Sequence, residues 1–564
     1  MQPREQVVFD SNPRGRPFMK RILVLMILAA AFAAAAASTQ AKKAEPDKDE
    51  KKSEAPASDE SPYFKEEAVK TAGAVTLEGK RVEYDAICST LIVHPEGWDD
   101  AAKKPDPDAE AEDEDEDQNP TAKAAMFYVA YFKRGVDASQ RPITFLFNGG
   151  PGSATVWLHM GAFGPRRVVT ADDTHTPAAP YQIINNDFSL LDASDLVFVD
   201  APATGFSRVA GKDKEKAFFG VDPDAHAFAE FITGFLSRYN RWNSPKYIFG
   251  ESYGTPRAAI LVNLLENDYA VDVNGVIMLS QILNFDLSVD GPESNPGIDV
   301  PYIVGLPTYA ATAWYHHKLP GTAPASLKSL LTEVETFATG DYAHALGKGA
   351  ELSDAERNAI AEKLHNYTGL PVSYILKADL RIDGGEFEKN LQDDTGTTTG
   401  RLDSRFSGPT LDPLSKESEY DPQSSAISSA YVSAFNEYVR KTLNYGKDKT
   451  YRPFYEVWKS WELKHKQPGG GGADGVCNTM ADLAMAMKMN PGLKVLLTGG
   501  YYDVATPYYE GWYEMHHLKI PASLQKNIEY RYYESGHMVY AHQASLKSIH
   551  DDVATFIGST NNVK

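Results

Sequence analysis

Three stretches carry residues whose types and spacing suit chemistry. In the first, Gly250-Glu251-Ser252-Tyr253-Gly254 follows a short apolar, β-prone run from Lys246 to Phe249 and precedes a helix-like segment, Arg257 to Glu266. A serine at a sharp turn between strand and helix is lifted clear of the backbone and can act as a nucleophile, and flanking glycines permit that turn. Pro256 suits the first turn of the helix, where its missing N–H is not needed. In the second, the apolar run Pro142 to Phe147 empties into Asn148-Gly149-Gly150-Pro151-Gly152. Glycines there let backbone N–H groups approach a ligand, so the N–H groups of Gly150 and Tyr253 are the natural pair to hold an oxyanion. No Gly-Lys-Ser/Thr follows, which opposes a nucleotide-phosphate loop. In the third, Ser535-Gly536-His537-Met538 follows the strand-like run Ile528 to Tyr533.

A serine nucleophile needs a base and an acid that orients it, and in α/β-hydrolases they follow in the order serine, acid, histidine, each on a loop after a strand. Of 14 histidines, His537 is the one that follows a strong strand and a glycine near the carboxyl terminus. Asp503 and Asp286 both follow strands after the serine, whereas Asp200 precedes it and is out of order. Asp503 is favoured because it ends the last strand before the histidine strand. The expected catalytic group is therefore Ser252, Asp503 and His537.

The elements that must position these residues alternate along the chain. Alternating apolar runs at Val75 to Val93 and Ala124 to Lys133 read as antiparallel strands. The runs from Pro142, Asp195, Lys246, Val273, Leu493 and Ile528 read as buried strands, with helices at about Asp222 to Tyr239, Asn478 to Met489 and Ala541 to Phe556. The expectation is an α/β-hydrolase fold with a mainly parallel central sheet, antiparallel N-terminal strands and an inserted helical cap. Core residues are expected at 69–294 and 473–564, interrupted by the cap at 295–472. In the cap Tyr309, Trp314, Tyr315 and Tyr374 could line a pocket or form ordinary core. Gly469 to Gly472 reads as a flexible joint.

The 564 residues are 42% hydrophobic, enough for one large core and an insertion. Met19-Lys20-Arg21 before the apolar stretch Ile22 to Ala37 reads as a secretory signal peptide, with upstream sequence before it, over residues 1–41. A charged tether is expected at 42–68, and a solvated acidic loop at 99–118, which lacks the fixed glycine and terminal glutamate of a calcium loop. Export to the periplasm or outside the cell follows, without stable membrane insertion after cleavage. The formal charge of −21, with no basic cluster, opposes nucleic acid as a partner. No metal or cofactor is called for. Cys88 and Cys477 are too few for a disulfide framework and read as free thiols or, at most, one long-range bridge.

Asn148-Gly-Gly-Pro-Gly152, Asp200-x-Pro with Gly205-Phe206-Ser207, Gly250-Glu251-Ser252-Tyr253-Gly254 and Gly536-His537-Met538 together resemble the serine carboxypeptidase family, from about residue 70 to the end. The resemblance implies a peptide substrate cleaved at its carboxyl end through an acyl-enzyme on Ser252, with Asn148 and Glu251 reading the terminal carboxylate. Two carboxylates share a hydrogen bond only if the pair holds a proton, so such a site favours acid pH. Trp157 and Met538 are candidate pocket walls. The chain departs from the family in having Ser153-Ala154 where many members have Cys-Ser, and Gly161-Ala162-Phe163-Gly164-Pro165 where many have a glutamate before the Gly-Pro. An esterase or acyltransferase with the same triad, and a non-catalytic binding protein, are the competing readings.

Overall fold

The computed structural model describes residues 61–65, 67–99, 119–322, 324–469 and 475–563. The expected signal peptide, nearly all of the acidic loop, most of the tether and the glycines of the joint beyond Gly469 lie outside the described residues.

Ten strands build the central sheet: β1 (Ala68–Leu77), β2 (Lys80–Val93), β3 (Lys123–Lys133), β4 (Ile143–Phe147), β5 (Asp195–Val199), β6 (Arg208–Ala210), β7 (Lys246–Glu251), β8 (Gly275–Leu279), β9 (Lys494–Gly500) and β10 (Ile528–Tyr533). Their spatial order is β1-β2-β3-β5-β4-β7-β8-β9-β10, with β6 also paired to β3. The first three strands and the β3–β5 and β3–β6 pairs are antiparallel, and every pair from β5 through β10 is parallel. This is the α/β-hydrolase fold.

Strands β4, β5 and β8 are buried along their whole length, as expected of parallel strands covered on both faces. Alternate side chains enter two different cores. Leu146, Phe249 and Ile277 join one, while Phe145, Phe147, Ile248 and Met278 join the other. Helices Val221–Arg238, Gly254–Asn267 and Met480–Met489 cover the second face through Phe228, Phe231, Leu261 and Leu483. Gln543–Thr560 covers the first through Leu546, Ile549, Val553 and Phe556. Helix Pro422–Lys441 adds Tyr431, Phe435 and Tyr438 to that same core, so the inserted region is packed into the sheet layer at its end.

The inserted region is mainly helical and builds a core of its own from Val300–Tyr315, Leu327–Phe337 and Asp354–Thr368. Tyr309 belongs to it, stacked on Phe387 with ring centroids 4.4 Å apart. Trp314 and Tyr374 pack against it as well. Tyr315 instead hydrogen-bonds Asp173 at 2.8 Å. These aromatics therefore serve packing and not the cavity described below. Cys88 and Cys477 are free and buried, and burial raises both thiols. Among the described residues, no helix is long and apolar enough to cross a membrane.

Candidate active site

The serine turn is built by close approach of backbone to backbone. A Cβ on Gly250 would come within 2.1 Å of the Gly254 carbonyl oxygen, and one on Gly149 within 2.4 Å of the Tyr253 nitrogen. Only glycine allows the glycine-rich loop after β4 to lie against the serine turn after β7. Ser252 itself sits at φ 60°, left-handed backbone that a serine adopts only when its surroundings impose it. They do so through its N–H, which donates to Leu279 O at 3.0 Å, and its carbonyl, which accepts from Thr255 N and Thr255 Oγ1, both at 2.8 Å.

His537 Nδ1 lies 2.8 Å from Asp503 Oδ2. A carboxylate offers only acceptors, so Nδ1 carries the hydrogen and Nε2 is left with a lone pair. Thr506 completes this pair. Its N–H donates to Asp503 Oδ1 at 3.0 Å and its hydroxyl to Asp503 Oδ2 at 2.8 Å, with His537 Nδ1 3.2 Å from that hydroxyl. The histidine backbone is tied down at both ends: its N–H donates to Leu402 O at 2.6 Å and its carbonyl accepts from Ser280 Oγ at 2.8 Å. Burial opposes a charge on His537, but Asp503, by its charge and its hydrogen bond, together with Glu251, outweighs it and raises the imidazole above its ordinary value. Asp286, the other carboxylate in sequence order, accepts instead from Asn295 Nδ2 at 3.2 Å.

Ser252 and His537 face one cavity, and of the expected site residues only Asp503 is absent from its wall. Asp503 is fully buried behind His537. The wall includes Gly150 and Tyr253, and among the described residues neither of their N–H groups donates a hydrogen bond. Trp157 and Met538 line the cavity, both largely buried; the indole N–H donates to Ser153 Oγ at 2.8 Å and its ring packs on Phe454. The inserted region contributes Glu388, Arg401, Tyr420, Asp421 and Trp458 to the lining of the same cavity, groups that no local pattern in the sequence marks.

Asn148 and Glu251 are both 3% exposed. Asn148 Oδ1 accepts from Leu158 N at 3.1 Å, and the Asn148 side chain hydrogen-bonds Glu251. Its carbonyl accepts from Arg257 NH1 at 2.9 Å, and Arg257 Nε donates to buried Asp224 at 2.6 Å, so the loop is braced from beneath by an ion pair. Asp200 braces its far end, accepting from Thr155 N at 2.9 Å and Phe206 N at 3.3 Å. Burial pushes Asp200 up to about 6 against those hydrogen bonds. Burial likewise pushes Glu251 up to about 7, opposed by the charge of His537 and by hydrogen bonds from Tyr540 and Asn148. An acid at that value holds its proton through the mildly acid range. It can donate to a carboxylate there.

Gly161 to Pro165 brings no carboxylate to Glu251; beside Asn148, the group bonded there is the Tyr540 hydroxyl. Sequence reasoning passed over Tyr540, Thr506 and Arg257, because neither tyrosine, threonine nor a helical arginine is marked as functional by its neighbours. Elsewhere, Glu293, Asp383 and Glu417 are the carboxylates close enough to hold a metal ion among the described residues. Lys416 reaches Glu417 at 3.5 Å and Glu293 at 3.9 Å, supplying positive charge to that group.

The fold is that of an α/β-hydrolase, with Ser252 and the His537–Asp503 pair brought to one cavity. The model of the serine carboxypeptidase family matches residues 117–284, the stretch holding the glycine-rich loop and the serine turn. Among curated proteins, a Pheromone-processing carboxypeptidase KEX1 of Phytophthora infestans is 32% identical over 144 residues, 23% of this chain and 22% of the relative. Serine carboxypeptidase-like 36 of Arabidopsis thaliana is 25% identical over 177 residues, 30% of this chain and 34% of the relative. The chain thus spans about a third or less of the length of these relatives. Among solved structures, the peroxisomal alpha-beta-hydrolase Lpx1 of Saccharomyces cerevisiae is 9% identical with a TM-score of 0.32, covering 88% of this chain and 90% of that one.

Proposed function

We propose that the protein is an exported serine carboxypeptidase that releases carboxyl-terminal residues from peptides. Ser252 Oγ attacks the scissile carbonyl while His537 Nε2 takes its proton. The Gly150 and Tyr253 N–H groups hold the oxyanion, and Asp503 stabilises the imidazolium. His537 returns the proton to the departing amine as the C–N bond breaks, leaving an acyl-enzyme on Ser252. Water, deprotonated by the same imidazole, then releases the acid and regenerates the serine. Asn148 and Glu251 bind the terminal carboxylate, with Glu251 contributing a proton.

The observation that carries this reading is the pairing of Glu251 with Asn148, both buried, at the wall of the cavity that Ser252 and His537 share. A buried acid next to the nucleophile serves a general esterase nothing, because a substrate without a carboxylate gains nothing from it. The names of the curated relatives point the same way. Export rests on Met19-Lys20-Arg21 and the apolar stretch after it, and amino-terminal sequencing of the secreted protein tests it.

The deciding assay compares blocked dipeptides with the matching esters and amides across pH, with Ser252→Ala as the control. The expected outcome is hydrolysis that requires Ser252 and strongly prefers a free terminal carboxylate at acid pH. Equal rates on free and blocked termini would favour the esterase or acyltransferase reading, and turnover retained in Ser252→Ala would remove the nucleophile from the scheme.

A further inference from the structure

Glu251 can read a carboxylate only if its proton points into the cavity, and nothing in the serine turn itself enforces that direction. The side chain lines the cavity wall, and five groups act on it. His537 attracts it and Asp503 repels it; Asn148 and Tyr540 hydrogen-bond it; Tyr431 faces it with its own hydroxyl bonded to Thr170. Of these, only Tyr540 contacts both carboxyl oxygens. Its hydroxyl donates to Oε2 at 2.9 Å and Oε1 at 3.1 Å, a bifurcated contact on the line between them. The same hydroxyl is within hydrogen-bonding reach of the Asn148 side chain. Tyr540 is 2% exposed and sits in a single 3-10 turn, Val539–Ala541, directly after His537 and Met538.

Gly161 makes room for this ring. A Cβ there would lie 2.7 Å from Tyr540 Cδ2 and 2.6 Å from Tyr431 Cε1, and both of those rings are buried. The segment from Leu158 to Phe163, Gly161 included, is wound so that glycine backbone forms the wall behind the tyrosine. A ring confined on one side by backbone and on the other by the carboxyl has one place to put its hydroxyl.

We propose that Tyr540 is the positioning residue of terminal-carboxylate recognition, holding Glu251 so that its proton faces the substrate. The proposal rests on the carboxypeptidase reading and adds a residue to it. The phenol donates between the two carboxyl oxygens, which leaves the acid's own proton to point away from Tyr540 and toward the substrate. Tyr540 acts through Glu251 and has no part in the chemistry at Ser252.

Two consequences separate this from a packing role. Removing a donor from a carboxylate disfavours its ionised form, so Tyr540→Phe raises the value at which Glu251 loses its proton. Because the protonated form is the one that binds, the falling limb of kcat/KM on free-acid dipeptides moves to higher pH. Removing the restraint on direction raises KM for those substrates by about tenfold with kcat nearly held, in keeping with a hydrogen bond to an ionisable group. Hydrolysis of the matching esters is expected to be unchanged in both rate and profile, since Ser252, His537 and Asp503 are untouched.

The experiment measures kcat and KM against pH for wild type and Tyr540→Phe on a blocked dipeptide and its ester, with thermal unfolding of both proteins. A wild-type preference for the free acid, with an upward shift and a KM loss confined to that substrate in the variant, supports the proposal. If wild type shows the preference and Tyr540→Phe keeps the same profile, Tyr540 has no such role and the carboxypeptidase reading survives. Equal losses on both substrates, or a lowered melting temperature accounting for them, overturn it in favour of packing. A wild type indifferent to the terminus overturns both readings at once. Gly161→Ala, whose Cβ would crowd the Tyr540 ring together with the ring and hydroxyl of Tyr431, is expected to reproduce the free-acid loss; normal free-acid KM in a folded Gly161→Ala protein also counts against the proposal.

Discussion

His537 and Glu251 stand close enough to feel each other's charge, yet the scheme asks opposite protonation states of them: the imidazole must be neutral to accept a proton and the carboxyl must hold one. Their macroscopic titrations belong to the pair, and activity on free-acid peptides should be bell-shaped, with Glu251 at about 7 governing the fall. In Glu251→Gln the amide keeps a donor at every pH. Peptide hydrolysis should then lose most of its decline above neutrality while ester hydrolysis keeps its wild-type profile, as kcat/KM against pH on both substrates will show. At Asp503 the expectation concerns the tautomer. Asp503→Asn can donate to Nδ1 and leave the hydrogen on Nε2, which should reduce turnover by roughly 10⁴ with the fold intact. Single-turnover acylation kinetics and circular dichroism check both halves of that statement, and a mild effect would shift attention to another carboxylate.

At the level of elements, the glycine-rich loop depends on helices it does not belong to. Arg257, on the helix after the serine turn, holds the Asn148 carbonyl and pairs with Asp224 on the neighbouring helix; both charged side chains are essentially inaccessible. The guanidinium also lies 4.5 Å from the centroid of the Phe228 ring. Removing one member of such a pair strands the other in a medium that cannot solvate it. Asp224→Ala is expected to destabilise the protein by about 3–5 kcal/mol, measured by urea unfolding. Loosening Arg257 should also cost activity through the loop it braces. Unchanged stability would mean that water or a shifted neighbour replaces the carboxylate.

Across the whole molecule, several carboxyls are raised by burial: Asp200 to about 6, Glu251, Glu266 and Glu514 to about 7, and Asp383 to about 8. Each binds its proton more tightly folded than unfolded between its ordinary value and its folded one. Over that window the native state holds more protons, so stability falls as pH rises, and raised His537 acts in the same direction. His159, which burial lowers to about 3, acts oppositely below its ordinary value of 6.5. The carboxyls outnumber it. Melting temperature should therefore be higher near pH 5 than near pH 8, by calorimetry at matched ionic strength; a maximum above pH 8 would contradict these burials.

The local sequence determines the turns and the strands that lead into them. Gly149, Gly250 and Gly254 are readable because only glycine tolerates the backbone contacts that such turns require, and the buried runs at β4, β5, β7 and β8 are readable because parallel strands covered on both faces must be apolar throughout. Element ends were less legible: the strand expected from Val273 to Leu283 is Gly275–Leu279, because Ser280 leaves the sheet to hold His537. Sequence order left Asp503 and Asp286 as rival acids, and their separation is a matter of distance alone, 2.8 Å from His537 Nδ1 in one case and a bond to Asn295 in the other. Tyr540, Thr506 and the Arg257–Asp224 brace likewise exist only in three dimensions. A side chain's neighbours across hundreds of residues are set by how the sheet and helices pack, and a phenol, a hydroxyl or a guanidinium carries no local mark of the partner that packing will bring to it.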